Sequence, residues 1–448
     1  MATTGKSNNA MANQLFGYLS VRDWKSRLVF WLGALAVGLT AAFFALASNR
    51  VMDLHGQIMG HSRWWSLLLS PLVLIVVVFF TRKVFPGTQG SGIPQAIAAL
   101  RSHNDTERRG LLSFRIAIGK LVLTLMGFLA GASIGREGPT VHIGASLMYS
   151  LGRFTKFPAH YVRHGLIMVG GAAGIAAAFN TPIAGIIFAI EEMARFYEER
   201  ASGILLVAVI IAGLAALGLL GNYTYFGESS VTLSGLHSWI AVPMCGVVGG
   251  FLGGAFSRTL LEGMKWLRPL MQRRWILVAA GCGLAVAVLG LVSNGSSYGT
   301  GYDQAKQILV GTPHTDWGFP FYKIAATIAS YFSGVPGGIF SPSLSAGAGL
   351  GGDLAPLMPY VPVSAVVVLG MVGYFTGVVQ TPLTASVIVM EMVNDSSMVF
   401  PIMATAFIAL GASKLLCRHP IYWALADEFL ADKKGTESNN GVERRRTD

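Results

Sequence analysis

Gly135-Arg136-Glu137-Gly138-Pro139 sets a carboxylate among glycines and a proline, after the uncharged run Leu121 to Gly135 and before the apolar run Val141 to Leu151. The flanking runs are apolar enough to lie in lipid, which places Glu137 at membrane depth. Proline lacks an N–H and is favoured at the first helical position, so the spacing predicts a helix from Pro139 with Glu137 and Gly138 just ahead of it. The free N–H groups and positive dipole end of that helix then face an anion. The anion is either the Glu137 carboxylate itself or a dissolved ion competing for the same place. Protonating Glu137 vacates the place, a physical means of linking proton uptake to anion passage. The plainer alternative is a glutamate paired with Arg136 or another structural arginine.

Composition supports the membrane setting. The chain has 448 residues, with 33 Lys and Arg against 22 Asp and Glu, a net charge of +11. Charged residues make up 12% and hydrophobic ones 53%, whereas soluble domains carry roughly 25% charged residues. Mean hydropathy is +0.56. A large soluble enzyme is thereby excluded, and 25 Phe, 13 Tyr and 9 Trp exclude disorder. An all-α polytopic protein of the lipid bilayer is expected, without nucleic-acid partners. Cys245, Cys282 and Cys417 lie far apart with no CxxC pair, so no disulfide framework, metal site or cofactor is expected. No apolar core with a cleavage site precedes the first span, and that span is expected to direct insertion.

An ionised side chain at the bilayer centre costs about 2.5 to 3.5 kcal/mol, so runs between charges mark the spans. Leu28 to Asn49 and Trp64 to Thr81 are of conventional length, and the rest, Ser396 to Ser413 among them, are less regular. Leu121 to Gly135 is short, while Gly165 to Ile190, Ala201 to Gly227, Ser229 to Ser257, Trp275 to Tyr302, Ile324 to Gly352 and Leu354 to Met390 are long. Several are interrupted, as at Gly170-Gly171 with Pro182, Gly334 to Gly338 with Pro336, and Gly373 and Gly377 with Pro382. Helices there are predicted to stop midway, which lipid tolerates only where protein or a polar cavity takes up the free backbone groups. Both ends are basic and are placed in the cytosol by the positive-inside rule. The resulting division is a cytosolic segment 1–27, membrane halves 28–227 and 228–423, and a polar cytosolic tail 424–448.

The halves resemble each other. Ala178-Phe179-Asn180-Thr181-Pro182-Ile183 leads to Glu191-Glu192-Met193, and Val378-Val379-Gln380-Thr381-Pro382-Leu383 leads to Glu391-Met392, 200 residues on. Upstream of each is a Gly-rich hinge ending in proline, at Pro139 and in Gly338-Ile339-Phe340-Ser341-Pro342. Paired interruptions at corresponding places in two halves point to a transporter site near the midplane.

The second hinge lacks the carboxylate, so its helix start stays available to a mobile anion, with the Phe340 backbone N–H as one donor. A packing aromatic at a turn is the alternative. Gly90-Ser91-Gly92-Ile93-Pro94 repeats the logic with an uncharged hydroxyl, Ser91, able to hold an anion weakly; a plain surface turn fits equally well locally. No GxxxxGK[ST] pattern accompanies it. Glu191 and Glu192, followed by Arg195, Glu198, Glu199 and Arg200, read as a solvated helix end or as a proton access point remote from Glu137.

Together these segments, with Pro420-Ile421-Tyr422 after the last span, resemble the CLC family of chloride channels and chloride/proton antiporters, from about Trp24 to Leu425. The resemblance implies a homodimer with one anion pathway per subunit, built from two inverted-topology repeats with tilted and broken helices. It implies Glu137 as the external gating glutamate, Ser91 and Tyr422 as side-chain donors to a central chloride, and backbone N–H groups near Gly138, Ile339 and Phe340 as the rest. It implies Glu192 as the internal proton-transfer glutamate of antiporters. Ser91 matches chloride-selective members, whereas nitrate-preferring plant members have proline and fluoride-exporting bacterial ones differ around this turn. No paired C-terminal regulatory domain follows, which suggests a prokaryotic form in a bacterial inner (plasma) membrane. His142, where Gln is common, departs from the pattern, with helix packing the simpler account of it.

The expected activity is exchange of chloride for protons. The nearest rival is a passive voltage- or pH-gated chloride channel. An intramembrane hydrolase using Ser91 with His142 or His164 as base would need an oriented base and a supporting carboxylate, and no spacing supplies them. A structural or receptor-like protein would not need Glu137 at depth.

Overall fold

The computed structural model describes residues 21–102, 104–152, 164–194, 202–221, 226, 232–233, 235–311, 317–394 and 397–431. In the first half α1 (Val21–His61), a 3-10 turn (Arg63–Trp65) and α2 (Ser66–Lys83) precede the short α3 (Ile93–Arg101) and α4 (Asp105–Leu111). Then come α5 (Phe114–Leu129), α6 (Glu137–Leu151), α7 (Leu166–Phe179), α8 (Pro182–Phe188) with a π turn over Ala189–Ala194, and α9 (Ser202–Leu220). The second half holds α10 (Ala241–Val292), α11 (Tyr302–Leu309), α12 (Phe319–Phe332), α13 (Phe340–Leu354), α14 (Val363–Val379), α15 (Pro382–Val393), α16 (Val399–Leu416) and α17, residues 421–431. α10 is two helical stretches joined at Arg274, whose backbone is non-helical (φ −133°, ψ 45°).

Among the described residues five helical stretches are long and apolar enough to cross a membrane. Others are too short. The 14 residues of α7 rise only about 21 Å, against roughly 30 Å of hydrocarbon. α7 is buried along its whole length, and α14 from Ala365 to Val379, as a helix that is apolar all round requires. These two therefore form the interior rather than the lipid face.

The long runs divide where the glycines and prolines predicted. α7 gives way to α8 through Asn180 in the left-handed conformation (φ 58°), and α14 to α15 through Gln380 (φ 61°). Each is followed by Thr-Pro, and the proline opens the next helix without needing a donor. Packing repeats as well. A Cβ on Gly144 or on Gly170 would strike the other's carbonyl oxygen where α6 meets α7. Gly347 and Gly370 stand in the same relation where α13 meets α14. Such close backbone approach is what small residues at membrane helix contacts permit.

Reading charges as span boundaries fails at two lysines. Lys120 was expected to bound the run from Leu121, and Lys323 the run from Ile324, yet both are fully buried inside α5 and α12. Carbonyl oxygens replace their water. Lys120 Nζ donates to Thr88 O (2.9 Å) and Gly90 O (3.0 Å). Lys323 Nζ donates to Ser297 O (3.0 Å), Tyr298 O (3.1 Å) and Gly299 O (2.7 Å). The packed chain also runs past Ala424, since α17 buries Leu425 and Ala426.

Candidate functional site

Three Gly-rich hinges meet at one place. Gly135 and Gly338 exchange backbone N–H to carbonyl bonds, each 2.7 Å, and Gly337 N–H donates to Gly90 O at 3.1 Å. These bonds satisfy irregular backbone that lipid would leave unpaired. The hinges lead directly into α3, α6 and α13, so three helix N-termini start from a shared knot. Gly92, at φ 105°, turns the chain into α3 where a side chain would strike His142 Cβ at 2.7 Å.

Glu137 lies in that knot with no exposed surface. It belongs to the first turn of α6, two residues earlier than the predicted start at Pro139, because Arg136 rather than Gly138 takes the cap position. Its Oε1 accepts a 2.6 Å hydrogen bond from Ser341 Oγ in the first turn of α13. The backbone N–H groups of Glu137 and Ser341 also lie beside the carboxylate. It thus rests across two helix N-termini, where an anion is most stable. Arg136 adds electrostatic attraction, while its Nη1 donates to Ala45 O (3.1 Å) and Asn49 Oδ1 (3.0 Å) on α1.

Ser91 and Tyr422, far apart in sequence, are brought together. Both are buried, their hydroxyls lie within hydrogen-bonding reach of each other, and neither has a further hydrogen-bond partner among the described residues. Buried hydroxyls are ordinarily satisfied, and two that have only each other can turn their O–H groups to a mobile anion. Gly138 abuts this pair, since a Cβ there would collide with Ser91 Oγ. Ile339 takes the cap position of α13 and Phe340 its first turn. The Phe340 ring is boxed by Phe375 (4.7 Å between centroids), Tyr422 (6.0 Å, interplanar 20°), Phe179 and Phe188 (6.1 Å each). Packing of the ring does not conflict with a donor role for the backbone N–H.

Glu192 is buried, not a solvated helix end, and sits in the π turn. The Tyr422 hydroxyl lies within electrostatic range of both Glu192 and Glu137. Arg195, Glu198, Glu199 and Arg200 lie outside the described residues. A cavity of about 670 Å³ is lined by Asn49, His55, Arg136, Tyr298 and Thr300, and so reaches the residue next to Glu137. Another of about 400 Å³ is lined by Arg82, Gln89, Gly90, Tyr331 and Phe429, and so reaches the residue before Ser91. The hydrolase alternative finds no support, because Ser91 Oγ is bonded to no described base and His142 Nε2 is held 2.9 Å from Leu111 O.

Sequence reasoning missed the contacts of Ser341 and Lys120 and the capping by Glu191 and Glu391 of helix starts in each other's half. Ser341 adjoins the hinge proline in Phe340-Ser341-Pro342, and the two glutamates recur at the repeat offset of 200 residues, so both carried a signal. Lys120 carried none, because its partners Thr88 and Gly90 are remote in sequence.

The family described as "Voltage gated chloride channel" matches residues 72–414. The chain is 28% identical over 454 aligned positions to the H(+)/Cl(−) exchange transporter ClcA of Salmonella typhimurium, covering 95% of this chain and 94% of that one. It is 27% identical over 394 positions to the protein of the same name from Salmonella typhi, covering 84% and 81%. Its fold is similar to that of a slow cyanobacterial Cl−/H+ antiporter, with TM-score 0.80 and 24% identity, covering 91% of this chain and 99% of that one. A CLC-type fluoride/proton antiporter follows, with TM-score 0.76, 23% identity and coverage of 89% and 96%. A eukaryotic CLC transporter has TM-score 0.73 and 19% identity, covering 90% and 74%.

Proposed function

Because the chain belongs to the voltage-gated chloride channel family, we propose that it is a multi-pass membrane protein moving chloride across a bacterial inner membrane in exchange for protons. The observation that carries this reading is the buried Glu137 carboxylate, held by Ser341 Oγ at 2.6 Å across the starts of α6 and α13. A carboxylate in that seat mimics a halide. As an anion it occupies the place; once protonated it loses its attraction to the helix ends and withdraws, and chloride takes the seat. Each passage of chloride is then tied to a proton.

Ser91 and Tyr422 hold the central chloride by their hydroxyls, and the N–H groups around Gly138, Ile339 and Phe340 supply the rest. Uncharged donors and partial dipoles bind the ion firmly enough to desolvate it and weakly enough to release it. Glu192 accepts protons on the side of Arg82 and α17, where chloride and proton routes diverge. The channel reading is disfavoured by Glu192 and by the relatives, which are named exchange transporters. The repeats correspond to residues 28–227 and 228–423, and two subunits form a homodimer, each with its own pathway; cross-linking in native membranes tests the dimer.

Purified protein in planar bilayers, under separate chloride and pH gradients, decides the activity. An exchanger has a reversal potential that moves with both gradients, and an imposed pH gradient drives chloride uphill. A channel follows chloride alone. Glu192→Gln is expected to stop proton movement while chloride still passes; full coupling in that variant would remove Glu192 from the mechanism. Replacing chloride by fluoride in the same bilayers fixes the anion preference.

A further inference from the structure

Tyr422 and Trp423 are adjacent on α17 and face different parts of the machinery. Tyr422 borders Ser91 and the anion centre. The Trp423 indole Nε1–H donates to the Glu192 backbone carbonyl at 2.8 Å. That carbonyl belongs to the π turn Ala189–Ala194, a wider and less favourable geometry than an α-helix, commonly found where a side chain must be aimed. A partner from outside the turn therefore matters to where Glu192 points.

The other end of α3 clamps the same indole. Arg101 lies at the carboxy end of the helix whose start follows Ser91, with its guanidinium carbon 5.0 Å from the Trp423 ring centroid. Arg101 Nη1 also pairs with Asp427 Oδ1 at 2.7 Å, one turn further along α17. The π turn in addition packs directly on α3. One short helix thus carries the anion donor, the tie to the proton-side glutamate and an ionic anchor.

We propose that Trp423 is a positioning residue that joins the inner anion site to the inner proton site. Withdrawing Tyr422 from the anion moves α17, and the indole bond transmits that movement to the turn bearing Glu192. Chloride release and proton acceptance on this face are then steps of one motion. The inference rests on the reading of Glu192 given above, and the observation behind it is the run of contacts from Tyr422 through Trp423 to Glu192, with the coupling itself left to the measurement below.

The test uses the full chain in liposomes, with the reversal potential reporting protons carried per chloride, a ratio independent of how much protein is active. Trp423→Phe keeps a ring beneath Arg101 and deletes the N–H. The ratio is expected to fall by about twofold or more; an unchanged ratio overturns the inference. If that variant fails to assemble, the surface changes Arg101→Gln and Asp427→Asn loosen α17 from outside. A lowered ratio in either supports the tether, and wild-type ratios in both overturn it. Glu192→Gln is measured alongside. Loss of coupling there with wild-type coupling in Trp423→Phe sinks the tether alone, whereas wild-type coupling in Glu192→Gln sinks the Glu192 reading and the tether with it.

Discussion

The Glu191 carboxylate accepts a 2.6 Å hydrogen bond from the Thr384 backbone N–H and a 3.2 Å bond from that of Leu383, capping α15 from the other half of the chain. Glu391 returns the arrangement, accepting from Ala184 (2.7 Å) and Ile183 (3.1 Å) at the start of α8. Both helices open on Thr-Pro with no side-chain cap of their own. Each repeat thus supplies the negative charge that the other's helix start requires.

Removing either cap should destabilise the fold equally. Glu191→Ala and Glu391→Ala are each expected to cost about 1 to 2 kcal/mol, read as a fall of a few degrees in thermal unfolding in detergent. Unequal losses would show that the two contacts are alike in geometry only.

Ser341→Ala weakens the seat of Glu137. A hydrogen bond to a charged group contributes about 1.5 to 3 kcal/mol, so chloride is expected to displace the carboxylate more readily and chloride efflux from liposomes to rise about tenfold or more. Glu137→Ala removes the stand-in altogether. Wild-type chloride efflux should increase as pH falls and protonation empties the seat, while the alanine variant should run at a rate independent of pH and carry no protons. A pH-dependent alanine variant would place the gate elsewhere.

Gly138→Ala puts a methyl against Ser91 Oγ and 2.9 Å from Ser91 O. The turn must shift, and chloride affinity by calorimetry is expected to drop more than about tenfold, or 1.4 kcal/mol. Gly281→Ala, with nothing within 4 Å of the added methyl, serves as the control and should bind as wild type.

The two buried lysines separate stability from binding. Lys120→Met orphans Thr88 O and leaves Gly90 O with the Gly337 N–H, while Lys323→Met orphans three carbonyl oxygens, at about 1 to 3 kcal/mol for each orphaned group, so both should melt earlier. Only Lys120 holds Gly90, the residue before Ser91. Chloride affinity should therefore fall in Lys120→Met and stay within about twofold in Lys323→Met, whose partners Ser297, Tyr298 and Gly299 belong to none of the three hinges.

Much of this was legible because some constraints act within a few residues. Pro139, Pro182, Pro342 and Pro382 lack a donor wherever they sit, so the helix starts near them were readable. A carboxylate between Gly135 and Pro139 was conspicuous for the same local reason. The sequence alone determined a membrane protein of two similar halves, broken at known places, with one acid set between a glycine and the proline of a helix start. The tertiary structure decided which broken ends share a centre, that Ser341 holds Glu137, that Lys120 and Lys323 are buried among carbonyls, and that Glu191 serves the opposite repeat. The reason is distance along the chain. A missing N–H or a left-handed turn is a property of one residue, whereas a hydrogen bond between residues 137 and 341, or 191 and 384, exists only once packing has brought its partners together.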